Sequence, residues 1–219
     1  YTATTARMIY GMSRNGTLPT TFARLHPPSR VPRPPMWFNL IVSFLFLFFF
    51  RGWSTLAAVI SVATIIAYLT GPVSALALRR TAQKMHRPLH LKGLPVIAAL
   101  AFVFATELLY WAKWPLTGEV LLLMLAALPV YAYYRVKHGG QHLAQELHGA
   151  VWLVVYLPTI ALVSWAGSTR FGGHGYLPWG WDLLIVAAVG VVFFMWGVRS
   201  GWDTPASRQA QLDHAAPSR

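Results

Sequence analysis

Glu107 is the acidic residue with the clearest potential for chemistry, because it lies inside an apolar run rather than in a loop. A carboxyl group can bind and release a proton. An ionisable residue within a membrane segment is a functional candidate, since an unpaired charge there costs several kcal/mol. We therefore predict Glu107 as a proton-coupling residue. Two structural alternatives stay open: the side chain can remain protonated, or it can reach the membrane interface, where Lys113 lies near the same end of the segment.

Thr64 and Tyr68 are the next candidates, because they are polar side chains inside the apolar run 56–78. Residues three or four apart on a helix share one face, so the two side chains are expected to point the same way. Such a face can line the path of a small polar substrate. The alternative is packing between helices, because small and hydroxylated residues are enriched where membrane helices meet.

Two pairs of histidines have the four-residue spacing that can bind a metal on a helix: His86 with His90, and His138 with His142. Proline interrupts the first pair and two glycines interrupt the second, so both pairs are expected to be solvated loop residues. The chain has no cysteine and no hydrolase or nucleotide-binding motif. We predict no catalytic residue, no metal and no cofactor.

These candidates need elements to position them, and composition indicates which elements those are. The 219 residues are 56% hydrophobic and 11% charged, whereas soluble domains carry about 25% charged residues. No stretch alternates as a membrane β-strand does, so the spans must be helices. The apolar stretches with near-spanning length predict six transmembrane helices: 35–50, 56–78, 94–111, 118–134, 150–166 and 181–198. Residues 1–12 read as the end of a preceding helix.

Charge distribution predicts how these helices are oriented. Fifteen of the 18 Lys and Arg residues fall in loops on one side of the predicted spans. The positive-inside rule then places the loop 13–34 and the tail 199–219 in the cytoplasm of a multi-pass protein in the cell membrane. The net charge of +12 is split among short clusters between apolar runs, which argues against a nucleic-acid groove. Glu119 and Asp182 begin helices, where a negative charge favours the helix dipole, so we interpret both as structural.

The loop at the start of the chain has the most specific local sequence. A helix is expected to end near Arg14, because Asn15 and Gly16 favour the left-handed conformation and Pro19 prevents simple continuation. The order of its residues resembles the loop after the eighth transmembrane helix in permeases of the amino acid, polyamine and organocation superfamily. The residues that carry the resemblance here are Arg7, Tyr10, Arg14, Gly16 and Pro19, with further matches at Ser13, Asn15, Leu18, Phe22, Ala23 and Val31-Pro32.

This resemblance implies a fold and a function. The chain would be the C-terminal portion of a fourteen-helix transporter with a five-plus-five inverted-repeat fold, whose substrate site lies mainly on the first and sixth helices, outside this chain. It implies secondary transport of an amino acid across the lipid bilayer, coupled to a proton or sodium. Hydroxyls of the eighth helix bind sodium in some relatives, which makes Thr2, Thr4 and Thr5 candidates. The alternative function is a non-transporting six-helix membrane protein.

Overall fold

The computed structural model describes residues 2–27, 29–49, 52–83, 91–137, 143–204, 208 and 211. All regular structure in these ranges is helical, as the sequence predicts. The α-helices are α1 Thr2–Arg14, α2 Arg33–Phe49, α3 Trp53–Thr81, α4 Leu94–Trp111, α5 Leu116–Lys137, α6 Leu143–Ala166 and α7 Trp181–Ser200. Short 3₁₀ turns lie at Thr20–Ala23 and Thr169–Phe171.

Helix lengths revise the predicted number of spans. Five helices, α3 to α7, are long and apolar enough to cross a membrane, whereas α2 is apolar but shorter. Its 17 residues at a rise of about 1.5 Å each give about 26 Å, less than the hydrocarbon thickness of about 30 Å. Phe50 and Arg51, which follow it, lie outside the described residues.

Several helices extend beyond the apolar stretches from which they were predicted. α6 begins at Leu143 rather than at residue 150. The prediction began later because the first two turns of the helix carry polar side chains and so lie outside the apolar run. α3 continues to Thr81 through Arg79 and Arg80. The apolar run marks the part of a helix that matches hydrocarbon, whereas backbone hydrogen bonding continues into the more polar interface. α4 has the predicted bounds.

The chain forms two compact units, and the first comprises residues 1–58 and 123–143. In it α1 packs against α2 and the turn Thr20–Ala23, with the rings of Phe22 and Phe38 5.1 Å apart. α1 ends in a Schellman motif: Gly16 has a φ of 74°, its N–H donates to Ser13 O, and Thr17 N–H donates to Met12 O. The expected left-handed residue is thus confirmed at Gly16.

The second unit comprises residues 59–122 and 144–219, and α4 packed against α7 is its centre. Phe102 of α4 is fully buried, with its ring 5.7 Å from Tyr156 of α6 and 5.6 Å from Phe194 of α7. Gly190 brings α7 close to α4, because a Cβ there would lie only 3.4 Å from Val103. This aromatic core holds α4, α6 and α7 together and fixes the position of the polar residues of α4.

Candidate functional site

A group of polar side chains lies in the second unit where α4 and α6 end and α7 begins. Glu107 occupies the last turn and a half of α4, one turn before Tyr110. Its carboxyl oxygen Oε2 is buried and has no hydrogen-bond partner among the described residues. Buried polar atoms in folded proteins are nearly always paired, so an unpaired carboxyl oxygen calls for an explanation.

Asp182, by contrast, is fully buried and fully paired. Its Oδ1 accepts hydrogen bonds from the backbone N–H groups of Gly180 at 2.8 Å and Leu183 at 2.9 Å, and its Oδ2 accepts one from Tyr110 Oη at 2.7 Å. Tyr110 Oη in turn accepts a hydrogen bond from Ser168 N–H at 3.1 Å. Asp182 therefore pairs two backbone N–H groups around the start of α7 and connects this helix to α4.

A second polar link lies one turn earlier on α4. Tyr156 Oη donates to Thr106 Oγ1 at 3.1 Å, and Thr106 donates to the carbonyl of Phe102 at 2.9 Å. Both side chains are fully buried. Nearby on α6, Ser164 is also fully buried, yet its hydroxyl has no partner among the described residues. α4 thus carries two satisfied polar contacts and one buried carboxyl oxygen without a partner among the described residues.

The connection between α6 and α7 lies against this cluster, and its backbone path requires glycine at several positions. Gly172 has a φ of 78°, and a Cβ there would lie 2.2 Å from the carbonyl oxygen of Trp114. Trp114 N–H donates to Phe171 O at 2.9 Å, and the Phe171 ring lies 5.0 Å from that of Tyr110. Gly167 leaves room for the Tyr110 hydroxyl, because a Cβ there would lie 2.2 Å from it. Residues 167–173 therefore fix Tyr110 and Asp182 in place.

The two acids, Glu107 and Asp182, differ in how their carboxyl oxygens are hydrogen-bonded. Glu107 lies one turn before Tyr110, whose hydroxyl donates to Asp182 Oδ2. Three donors fix the Asp182 carboxylate, whereas Oε2 of Glu107 has no fixed donor. An unpaired carboxyl oxygen is a position where a proton can bind without displacing a fixed donor. A role of Glu107 in proton coupling remains a prediction.

The structure revises how Asp182 and Lys113 relate to this site. Asp182 lies in the first turn of α7, as interpreted from the sequence, but its bond to Tyr110 was missed. The two residues are 72 positions apart, and one sequence gives no signal for such a pair. No ion pair joins Glu107 to Lys113 in the described part of the chain. Lys113 lies beyond the end of α4, in the left-handed region with a φ of 71°. Glu119 lies in the first turn of α5.

The other predicted pathway residues are not part of this cluster. Thr64 is exposed on α3 and donates its hydroxyl hydrogen bond to Ile60 O at 2.7 Å. Tyr68, one turn further along, is 72% exposed. The two share an exposed face, as their spacing predicts, and no hydrogen bond of the described residues joins them to the Glu107 cluster. A role in a substrate path remains a prediction.

Two residues of the loop motif, Gly16 and Pro19, form specific backbone contacts in the turn. Gly16 ends α1, and Pro19 O accepts a hydrogen bond from Ser13 Oγ at 2.6 Å. Arg7 and Arg14 are exposed, and Tyr10 is half-buried. The motif thus shapes the turn between α1 and α2, with its basic side chains facing outward.

The remaining candidates are only partly described by the structure. Thr4 is exposed and Thr5 half-buried, whereas the side chain of Thr2 lies outside the described residues. The described ranges contain no group of three metal-binding side chains. The histidine pairs of the sequence fall outside those ranges: His86, His90, His138 and His142.

Comparison with known proteins identifies the family. The chain is 50% identical over 211 residues to the glutamate/serine transporter AimA of Bacillus subtilis (strain 168), covering 96% of this chain and 39% of that protein. It is 34% identical over 203 residues to the aspartate-proton symporter of the same organism, covering 90% of this chain and 38% of that protein. The chain therefore spans about two fifths of the length of these relatives. No solved structure matches it significantly.

The family model described as amino acid permease matches residues 1–121. This region includes the loop motif from which the resemblance was inferred, and it extends through α4 with Glu107. More than half of the chain is matched, and two curated transporters align along nearly all of it. This chain is a multi-pass membrane protein of the amino acid permease family.

Proposed function

We propose that the chain is the C-terminal part of a secondary amino acid permease that moves its substrate across the cell membrane by alternating access. The observation that carries the proposal is the alignment with AimA, which covers 96% of this chain at 50% identity. Helices α3 to α7 have the length and composition of membrane spans, which the function requires. The non-transporting six-helix alternative finds no support in relatives that are named as transporters.

The substrate proposed is a small polar or acidic amino acid. The two relatives described above are named for glutamate, serine and aspartate. In the inverted-repeat architecture the substrate binds near the bilayer midplane, where broken helices expose backbone groups. The exposed face of α3 with Thr64 and Tyr68 would then contact the substrate path, with Tyr68 as the larger side chain available to gate it.

The coupling ion proposed is a proton, with Glu107 as its carrier. One relative is named as a proton symporter, and the unpaired Oε2 of Glu107 provides an acceptor inside α4. The sodium alternative would require the hydroxyls of α1, of which Thr4 faces outward in the described unit. The basic loops, including 13–34, and the tail would face the cytoplasm.

The test is uptake by cells that lack their own transporters for acidic amino acids and express the full-length permease. Radiolabelled glutamate, aspartate and serine should accumulate above the level of cells with empty vector, and excess unlabelled glutamate should compete with the label. Equal accumulation in both cell lines, with the permease present in the membrane fraction, would contradict the proposal.

A further inference from the structure

The ends of α3 and α7 form a groove that the transport mechanism does not use. It lies in the second unit, has a volume of about 260 Å³ and is lined by Arg80, Phe194, Met195, Val198 and Arg199. We call it the α3–α7 groove. Three of its lining side chains are apolar and two are guanidinium groups. An apolar floor with two cations at its rim matches the chemistry of an amphipathic anion.

Close approaches at two glycines hold the ends of α3 and α7 together beside this groove. A Cβ at Gly201, just after α7, would lie 2.6 Å from Ala77 Cβ of α3, and one at Gly197 would lie 2.9 Å from Val73 Cγ1. The two glycines are four residues apart, and small residues at this spacing let membrane helices approach closely. The helix ends, with their arginines, are thereby held side by side.

Hydrogen bonding holds Arg80 at the rim while leaving most of its donors available. Its Nη1 donates to the carbonyl of Val198 at 2.9 Å, and a guanidinium group has five N–H donors in all. Arg199 is exposed and follows Val198 on α7. The two charged groups therefore flank the same wall of the groove.

The charge at the rim is not balanced by acidic side chains of the groove itself. None of the described residues that line it is acidic. Asp203, which lies four residues beyond Arg199, forms an ion pair with Arg208 at 3.0 Å. Arg79, next to Arg80, is directed elsewhere, because its Nη1 donates to Leu91 O at 3.1 Å. Two like charges with no acid among the described lining residues favour an anionic occupant.

We propose that the α3–α7 groove binds one anionic phospholipid. The headgroup phosphate lies between Arg80 and Arg199, and an acyl chain follows Phe194, Met195 and Val198. From the two arginines, the apolar wall extends along α7 and includes Met195, which is 44% exposed. A lipid in one leaflet has the same order, with its charged headgroup at the surface and its acyl chain below. Basic pockets between membrane helices bind anionic headgroups in this way. A soluble phosphate would satisfy the arginines but not the apolar wall.

The test is native mass spectrometry of the full-length permease titrated with phosphatidylglycerol or with phosphatidylcholine. The protein should retain one phosphatidylglycerol in preference to phosphatidylcholine. Replacing Arg199 by Gln should weaken phosphatidylglycerol binding about fivefold, the contribution of one basic side chain near a membrane surface. Arg199 makes no hydrogen bond in the described structure that this change would remove, so folding should be preserved.

The matched control is Arg79→Gln, which removes the same charge from the same basic end but not from the groove. It should bind phosphatidylglycerol as the wild type does, and Arg199→Lys should retain part of the affinity. Equal weakening by Arg79→Gln, equal retention of both lipids, or displacement of phosphatidylglycerol by inorganic phosphate would each overturn the proposal. Lipid retention is measured without substrate, so its failure would not bear on amino acid uptake.

Discussion

Tyr110 connects three segments of the second unit through one hydroxyl group. It donates to Asp182 Oδ2 and accepts from Ser168 N–H, so α4, the α6–α7 connection and the start of α7 meet at this oxygen. All three groups are buried. A polar contact that is fully satisfied in a buried position stabilises a single arrangement of its neighbours. The position of α7 relative to α4 should therefore depend on this side chain.

Replacing Tyr110 by Phe keeps the ring but removes the hydroxyl. Asp182 Oδ2 then loses its donor and Ser168 N–H its acceptor, which is expected to destabilise the protein by about 1–3 kcal/mol. The measurement is the midpoint of thermal unfolding in detergent. Tyr176→Phe is the control, since Tyr176 is exposed and its hydroxyl makes no hydrogen bond in the described structure; an equal midpoint shift in both variants would contradict the assignment.

Glu107 is the residue on which the coupling proposal depends. Glu107→Gln keeps the shape of the side chain but cannot carry a proton, so uptake driven by a pH gradient should fall and lose its dependence on that gradient. The control is Glu119→Gln, at the start of α5, which should leave both unchanged. Uptake of labelled glutamate into cells at two external pH values measures the effect. Wild-type uptake and pH dependence in the Glu107→Gln protein would exclude this residue as the proton carrier.

Among the helix connections, the one between α6 and α7 is held by close backbone contacts in addition to the side-chain contacts of Tyr110. Gly172 combines a φ of 78° with an approach to Trp114 O that leaves no room for a Cβ. Gly173 is equally confined, because a Cβ there would lie 2.3 Å from Gly167 O. Substitutions in this connection should therefore affect stability even though they remove no interaction.

Gly172→Ala tests this conclusion. A non-glycine residue in the left-handed region costs about 1–3 kcal/mol, and the clash with Trp114 O should add to that cost and lower the unfolding midpoint. Gly11→Ala in α1 is the matched control, because nothing lies within 4 Å of a Cβ there; it should be neutral or slightly stabilising. A Gly172→Ala midpoint equal to that of the wild type would show that the connection is looser than described.

The elements differ in how far the sequence could predict them. α4 was predicted with its observed bounds because its apolar run begins and ends where the helix does. α6 begins before the predicted residue 150, where its first turns are polar, and α2 was predicted as a span although it is shorter than α3 to α7. The Tyr110–Asp182 bond could not be predicted, because it joins residues on different helices and depends on the loop geometry set by Gly167 and Gly172.

At the scale of the whole molecule, orientation is a prediction from charge that chemistry can check. The chain has no cysteine, so single cysteines introduced into it are the only thiols it contributes. Ser29→Cys in the basic loop 13–34 should react with a membrane-impermeant maleimide only after the cells are opened. His174→Cys, in the connection between α6 and α7, should react in intact cells. The reverse pattern would contradict the predicted orientation.

Proton-coupled amino acid transport, which we propose for the permease to which this chain belongs, can be measured in proteoliposomes. The purified full-length protein should accumulate labelled glutamate, aspartate or serine when the outside is acidic. A pH dye inside the vesicles should report proton entry that depends on the amino acid. Accumulation that needs sodium instead would contradict the coupling, and absence of accumulation by correctly inserted protein under either gradient would contradict the transport function itself.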